Sequence, residues 1–424
     1  MFYLKSRKVA SVKGRQIFDS RGTPTVEACV TLEDGTTGAA SVPSGASTGK
    51  YEAHELRDND RDFGGKSVYA AVNAIETVLN DAVSGTECSD QYLIDSKMIE
   101  ADGTENKMRL GANSILAVSL ACAKAASRSY DMPLFRYLGG TLADTLPVPL
   151  MNILNGGAHA SNNLDIQEFM IVPVGAKNFH EAMKMGCETY AQLKKILSKN
   201  SLSVSVGDEG GFAPSLSTDE EALSYITDAI EAAGYVPGEE ISLALDVAAS
   251  EWYDGGEYHL PKRNKIMTSV ELSEYYSSII GKYPIISIED PFSEEDWDSF
   301  CDFTSHHPSL QIVGDDLFVT NIKRIRKGVE ISAANAVLIK PNQIGSLSET
   351  LEAISYASRN GYNTIISHRS AETCDTSIAD IAVASNSGQI KTGAPCRGER
   401  IAKYNRLLRI SDALGQKAVY GFSR

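Results

Sequence analysis

Short apolar runs alternate with helical segments over the second two-thirds of the chain, and this alternation constrains the possible fold more than any other feature. The runs cover residues 241–245, 285–288, 310–313, 336–339 and 363–366. Two of the intervening segments open on capping signals, Thr218 followed by Glu221 and Ser346 followed by Glu349. This alternation predicts βα units around a parallel sheet.

A charged residue follows most of these runs, at the end where a parallel strand would finish. The residues are Asp246, Glu289-Asp290, Asp315-Asp316, Lys340, His368-Arg369 and, after a run at 388–390, Lys391. A further run, SVSVG, leads to Asp208-Glu209. Charges after a strand also mark solvated loops, but such loops favour Gly, Asn, Ser and Pro. The set as a whole favours the mouth of a (β/α)8 barrel, where the strand ends converge on an active site.

Three of these residues, Asp246, Glu289 and Asp315, offer oxygen ligands from neighbouring strands. Oxygen ligands suit Mg²⁺, and the lack of an accompanying Cys or His disfavours zinc. Lys340 follows the next strand and would lie near the metal. An ordinary lysine has a pKa near ~10.4 and is a poor base at neutral pH. A neighbouring cation, either Mg²⁺ or Lys391, is expected to lower that pKa and make Lys340 a usable base.

The first part of the chain has a different pattern. Apolar residues alternate over 25–32 and an Asp34-Gly35 turn follows, which predicts a β-meander. Helical periodicity covers 66–83 and 113–127. Because Gly and Pro punctuate 138–149, we expect an α+β domain over 1–140 and the barrel over 141–424.

Composition limits the partners that we expect. The 424 residues carry a formal net charge of −15, so nucleic acid is not expected as a partner and an anionic substrate would need a local cationic site. The seven cysteines show no C-x-x-C spacing, which indicates reduced thiols in a cytoplasmic protein. The most apolar window, 115–126, is too short to cross a bilayer, so no membrane insertion is expected.

Ordered motifs along nearly the whole chain resemble the enolase family. They include DSRGTPTVE (19–27), VPSGASTGKYEA (42–53), VGDEGGFAP (206–214), SIEDPF (287–292), GDDLFVTN (314–321), LIKPNQIGS (338–346), SHRSAET (367–373) and GQIKTGAPCRGERIAKYN (388–405). The resemblance implies an α+β N-terminal domain that caps a C-terminal enolase-type (β/α)8 barrel. It also implies that the first two barrel strands are antiparallel, with 147–153 and 166–172 in those places.

The resemblance implies a reaction as well: the Mg²⁺-dependent, reversible dehydration of 2-phosphoglycerate to phosphoenolpyruvate in glycolysis and gluconeogenesis. Lys340 matches the base that takes the C2 proton, and Glu209 matches the acid that helps the C3 hydroxyl to leave. Two Mg²⁺ ions per active site are implied. The ligands of the first would be Asp246, Glu289 and Asp315, and Ser47 would bind the second.

The other site residues also follow from the resemblance. Arg369 and Ser370 match phosphate binders, and Lys391 matches a carboxylate binder. The remaining expected substrate-binding residues are His159, Gln167, Glu168 and His368, of which His159 and Glu168 are also expected to support the acid side of catalysis. A symmetric homodimer or octamer is expected.

Two other functions stay open at the level of sequence. One is a paralogue that acts on a related phosphonate or acid, which Ser161 and Ala371 would fit because they depart from the family motifs. The other is a non-catalytic binding protein built on the same fold. Activity on 2-phosphoglycerate separates the first alternative from an enolase, and the presence of every inferred catalytic residue argues against the second.

Overall fold

The first part of the chain begins with a three-stranded antiparallel sheet. The computed structural model describes residues 6–45 and 49–421 of the chain. The strands are Val9–Phe18, Pro24–Leu32 and Thr37–Ser41, paired in chain order. Alternate residues of the middle strand are buried, and Gly35 forms the turn with a φ of 84°. The predicted meander is therefore confirmed.

One helix packs closely against this sheet. The helices here are Tyr69–Ala74, Ile75–Leu79, Asn80–Val83, Gln91–Asp102, Ala112–Ser129 and Leu134–Gly139, of which the first three are continuous and Ile75–Leu79 is a π-helical turn. Ala112–Ser129 lies on the sheet at Gly38. A Cβ atom on Gly38 would lie 2.3 Å from both the Ala121 carbonyl oxygen and the Ala125 nitrogen. Only glycine allows helix and strand to approach so closely.

Eight strands close into a barrel, as the alternation of runs and helices predicted. Barrel strands 1 to 8 are, in chain order, Val148–Asn155, Glu168–Val172, Ser242–Asp246, Ile285–Glu289, Gln311–Gly314, Ala336–Ile339, Asn363–Ser367 and Gly388–Lys391. Strand 2 is antiparallel to strands 1 and 3, and every other pair is parallel. The strands are buried almost throughout, since helices cover the barrel.

The covering helices begin largely as the sequence predicted. They are Phe179–Lys199, Asp219–Ala232, Ser269–Ile280, Trp297–His306, Ile322–Ile331, Pro341–Ile344, Leu347–Arg359, Ser377–Ala384 and Gly398–Leu414. Thr218 and Ser346 accept hydrogen bonds from the backbone N–H groups of Glu221 and Glu349 and so cap their helices.

Two smaller sheets complete the described fold. Thr145–Leu146 pairs with Val419–Tyr420, and Tyr253–Asp254, Glu257–Leu260 and Lys265–Met267 form an antiparallel sheet. Across 6–45 and 49–421, none of the helices combines the length and apolar character that a bilayer span requires.

One predicted strand is wrong. The run SVSVG, 203–207, is not part of the barrel, and Val206 forms only an isolated bridge with Phe212. Ser203, Ser205 and Val206 are exposed and no residue of the run is buried, so it lacks the buried faces of a barrel strand.

The first part of the chain covers the carboxyl-terminal mouth of the barrel. Ser44 and Ala371 exchange two backbone hydrogen bonds of 2.9 and 3.1 Å, and the Ala53 N–H donates to the Gln343 carbonyl at 2.8 Å. Lys124 Nζ lies 2.6 Å from the Asp375 carboxylate. Although burial alone would raise the pKa of Asp375, the lysine and nearby hydrogen bonds lower it to about 2. These contacts fix the first part of the chain over the strand ends. Its described residues, 6–45 and 49–140, are called the covering segment below.

Candidate active site

Strand register brings three carboxylates into one row at the barrel mouth. Glu168 pairs with Asp246 across strands 2 and 3, and Asp246 pairs with Glu289 across strands 3 and 4. All three side chains are buried. Asp315 directly follows strand 5, two residues after the register partner of Glu289. The predicted acidic residues therefore do come from neighbouring strands.

Two lysine ammonium groups lie among these carboxylates. Lys391 Nζ, at the end of strand 8, is 2.7 Å from Asp246, 2.8 Å from Glu289 and 3.3 Å from Glu168. Lys340 Nζ contacts the Asp315 carboxylate. Lys391 is buried, whereas Lys340 keeps about 15% of its side chain exposed. The surrounding carboxylates raise the pKa of Lys391 well above its usual range although burial opposes this. Each ammonium group partly compensates buried negative charge.

The donor set fits a hard divalent cation. Asp246, Glu289 and Asp315 are buried and offer only oxygen atoms, which are the preferred ligands of Mg²⁺. Burial and the charge of Asp246 raise the pKa of Glu289 well above its usual range, so added positive charge would be favourable there. Ser47, the expected ligand of a second ion, lies outside the described residues.

The tightest groups of possible ligand atoms differ from the predicted trio. Asp290, Asp315 and Asp316 form one such group and His159, Glu168 and Glu209 form another, each with ligand atoms within 4.8 Å of one another. Lys391 lies between Asp246 and Glu289, and Lys340 holds Asp315 separately. This explains why the predicted trio does not converge on one point here.

Asp290 and Asp316 are site residues that the sequence reasoning did not assign a role. The Asp290 carboxylate accepts hydrogen bonds from the backbone N–H groups of Asp315 (2.9 Å) and Asp316 (2.7 Å). Asp290 itself has a φ of 41°, an unfavourable value for a residue with a side chain. Burial and the neighbouring Asp316 raise the pKa of Asp290 well above its usual range. Asp290 thus fixes the turn that presents Asp315.

The loop after Val206, not a strand, carries Glu209 into the site. Asn152, on barrel strand 1, donates from its side-chain nitrogen to Glu209 Oε2 at 2.9 Å. His159 Nδ1 lies 3.5 Å from Glu168 and 3.8 Å from Glu209, so one ring nitrogen faces both carboxyl groups. Asn152 was not predicted as a site residue, because it is an uncharged residue within an otherwise largely apolar strand.

Glu168 and Glu209 differ in how readily they hold a proton. Burial and the charge of Glu209 raise the pKa of Glu168 well above its usual range. Burial acts in the same direction on Glu209, but His368, His159 and Arg400 outweigh it and hold the pKa of Glu209 well below its usual range. Two buried carboxyl groups this close titrate together, and of the two Glu168 holds a proton more readily.

The pKa of Lys340 does not follow the expectation from the sequence. Burial lowers it, as do Arg369 and Lys391, but the ion pair with Asp315 outweighs them and the net pKa is raised. The expected lowering is therefore wrong for the chain without metal. The reason is that Asp315, an expected metal ligand, pairs with the lysine here.

Arg369 and Ser370, the residues expected to bind phosphate, line the same pocket. Arg369 binds Glu52 through two hydrogen bonds of 2.8 and 3.1 Å and donates to Asn342 at 3.1 Å. The Ser370 hydroxyl lies 3.1 Å from His159 Nε2. Neither Glu52 nor Asn342 was predicted as a site residue, since Glu52 comes from the covering segment and Asn342 carries no charge.

These groups line one pocket at the barrel mouth. Of the predicted site residues, those that line it are His159, Gln167, Glu168, Glu209, Asp246, Asp315, Lys340, His368, Arg369, Ser370 and Lys391. Glu289 does not line the pocket, and its carboxylate lies 2.8 Å from Lys391 Nζ.

Comparison with protein families agrees with this geometry. Residues 9–138 match the family model described as the N-terminal domain of enolase. Residues 143–423 match the model described as the C-terminal TIM barrel domain of enolase. Together these two matches cover nearly the whole chain, and the closed barrel with a separate α+β region is the architecture that they describe. The chain belongs to the enolase family.

Proposed function

We propose that this protein is a Mg²⁺-dependent lyase that interconverts 2-phosphoglycerate and phosphoenolpyruvate in glycolysis and gluconeogenesis. One observation carries the proposal: a single cavity contains a lysine, a buried carboxyl pair and two further cations, Lys391 and Arg369. This set matches what the reaction needs, namely a base, an acid and sites for two anionic groups. We also propose the division into a capping domain, 1–140, and a catalytic domain, 141–424.

In this proposal Lys340 is the base. Its Nζ takes the proton from C2 of the substrate, which leaves an electron pair on a carbon next to a carboxylate. The lysine must be neutral for this step, and Arg369 and Lys391 both act to lower its pKa. Asp315 acts against them, so the base becomes available when Asp315 has another partner.

The acid is the Glu168–Glu209 pair. As the C3–O bond breaks, the electron pair at C2 forms the C2=C3 double bond and the hydroxyl leaves as water with a proton from the pair. In this proposal the pair holds the proton, which the raised pKa of Glu168 favours. His159 Nδ1, which faces both carboxyl groups, is placed to relay that proton to Glu209.

The remaining groups bind and neutralise charge. Asp246, Glu289 and Asp315 would hold one Mg²⁺, with Ser47 proposed for a second, and the bound metal would supply positive charge to the substrate carboxylate. Lys391 binds the same carboxylate, while Arg369 and Ser370 bind the phosphate. Strands 7 and 8 separate strand 6, which leads to Lys340, from strand 1 beside Glu209, so base and acid reach the substrate from different directions.

The test is turnover of 2-phosphoglycerate, followed as phosphoenolpyruvate absorbance with Mg²⁺ and then with a chelator. Wild type should turn over only with Mg²⁺. Lys340→Ala and Glu209→Gln should each lower kcat by roughly 100-fold or more, because each removes a proton-transfer group. Lys323→Ala is the matched control, since Lys323 is exposed and pairs only with the exposed Glu105 among the described residues.

Three outcomes would contradict this proposal in different ways. If the folded, Mg²⁺-loaded wild type does not turn over 2-phosphoglycerate but does turn over a phosphonate or related acid, the paralogue alternative is correct. If it binds such compounds without converting any of them, the protein is a binding protein. If turnover survives Lys340→Ala, the lyase stands but its base is another group.

A further inference from the structure

Arg400 is fully buried next to the site, although it comes from the helix Gly398–Leu414 on the outside of the barrel. Its guanidinium contacts three consecutive residues after barrel strand 7: Nη1 lies 2.6 Å from His368 Nδ1 and donates to the Arg369 carbonyl at 2.7 Å, and Nη2 donates to the Ser370 carbonyl. Nη2 also donates to the Asp208 carbonyl at 3.1 Å. One side chain therefore joins the His368 segment to the Glu209 loop.

The approach of Arg400 depends on a glycine. A Cβ atom on Gly393 would lie 2.9 Å from Arg400 Cδ and 2.8 Å from the Glu209 carbonyl oxygen, and Gly393 has a φ of 86°. The space between the Glu209 loop and the buried arginine is thus filled by backbone alone. A guanidinium enclosed this tightly has little freedom to turn away from His368.

The contact with His368 determines where that ring carries its proton. A guanidinium can only donate hydrogen bonds and stays charged at all ordinary pH values. His368 Nδ1, facing it at 2.6 Å, must therefore be the acceptor and cannot carry hydrogen. A neutral imidazole with a bare Nδ1 has its hydrogen on Nε2. His368 Nε2 lies 3.6 Å from Glu209 Oε2, so the N–H is directed at the carboxyl group of the proposed acid.

We propose that Arg400 is a positioning residue that fixes His368 as the Nε2–H tautomer and so aims a hydrogen-bond donor at Glu209. The catalytic part of this inference rests on the proposed function, but the tautomer does not. At 3.6 Å the donor is beyond ordinary hydrogen-bond length in the ligand-free chain, and such contacts commonly tighten when substrate binds. Burial and the charge of Arg400 act together to keep the ring neutral, in agreement with a lowered pKa of His368.

His368 then stabilises and orients the ionised Glu209, both before it takes the proton of Glu168 and after that proton has passed to the leaving hydroxyl. The carboxylate left behind would accept hydrogen bonds from His368 Nε2–H and from Asn152. Without Arg400 the ring can take the other tautomer, in which a lone pair on Nε2 would face the carboxylate and repel it. Glu209 would lose a fixed hydrogen-bond donor and with it the orientation that proton transfer to the C3 hydroxyl needs, with substrate binding by Lys391 left in place.

The experiment is long-range ¹H–¹⁵N NMR on the full chain labelled with ¹⁵N-histidine, without substrate. His368 is assigned by the signals that disappear in His368→Gln. The expected wild-type pattern is a protonated Nε2 and an unprotonated Nδ1. Arg400→Met should change that pattern, whereas Arg406→Met should not, because Arg406 is on the same helix and binds Asp380 instead. Arg400→Lys, which keeps a charged donor, should retain the wild-type tautomer.

The same variants are then assayed with 2-phosphoglycerate and Mg²⁺. Arg400→Met should lower kcat roughly 10- to 100-fold with a smaller change in KM, and Arg400→Lys should recover part of kcat. A wild-type His368 protonated at Nδ1, or at both nitrogens, would overturn the inference whatever the enzyme acts on. A correct tautomer with no turnover by wild type would instead reject the proposed function alone. If Arg400→Met folds, loses the tautomer and keeps full kcat, the positioning role is wrong.

Discussion

At the scale of single residues, Lys391 compensates the buried negative charge of the carboxylate row. Its ammonium group is within 3.3 Å of Glu168, Asp246 and Glu289, and all four side chains are buried. A buried charge that loses its partner costs far more than an exposed one, because no solvent replaces the lost interaction. The proposed substrate carboxylate would add another negative group here, so the same lysine serves both folding and binding.

We expect Lys391→Met to destabilise the metal-free protein by about 3–5 kcal/mol, the usual effect of leaving buried charges unpaired. Urea unfolding in the presence of a chelator measures this. Mg²⁺ should restore part of the loss, since it compensates the same carboxylates, but activity should stay low. Lys323→Met, which removes an exposed lysine, should unfold like wild type. A Lys391→Met protein as stable as wild type would mean that the carboxylates are protonated and need no cation.

At the scale of elements, the contact between the first sheet and the helix Ala112–Ser129 depends on the absence of a side chain at Gly38. The backbone atoms that a Cβ would meet at 2.3 Å belong to the helix itself and cannot move independently. Adding an atom must therefore push the whole helix away from the sheet. Overpacking of this kind usually costs more than a change on the surface.

Gly38→Ala should therefore lower the free energy of unfolding by about 1–3 kcal/mol or more. Gly398→Ala is the matched control, because a Cβ there meets nothing within 4 Å and the residue begins a helix. Thermal and urea unfolding of both variants tests this. Equal stability of the two would show that the helix shifts at no cost.

The elements predicted best from the sequence are those that neighbouring residues alone determine. The strand Ala336–Ile339 coincides with the apolar run at 336–339, because a strand that is buried on both faces is apolar at every position. The run before Glu209 is not a strand, because alternating Ser and Val also suit an irregular segment with exposed residues. Arg400 could not be found this way. A buried arginine on a helix looks like any exposed one until the tertiary contacts are known.

At the scale of the whole molecule, the covering segment closes the barrel mouth and thereby changes its electrostatics. Asp316 is half-buried: a Cβ on Gly49 would lie 2.8 Å from its Oδ1, and Glu52 adds a like charge. Burial first, then Asp315, raise the pKa of Asp316 to about 8 despite Lys340. Without metal, Asp316 therefore holds a proton that a bound cation would displace.

The last prediction concerns how stability depends on pH without metal. Asp316 titrates near 3.8 when unfolded and at about 8 when folded, so between these values the folded state holds a proton that the unfolded state lacks. Stability from this group must fall as pH rises, and the fall ends above the folded pKa. With a chelator present, wild type should lose about 1–2 kcal/mol between roughly pH 6.5 and 8.5 that Asp316→Asn does not lose. Because the lowered pKa values of His159 and His368 change stability in the opposite direction around pH 6.5, the difference between the two proteins is the decisive quantity. Mg²⁺ should reduce the wild-type loss, since ionised carboxylates bind it. Equal slopes for wild type and Asp316→Asn would show that Asp316 is already ionised at neutral pH.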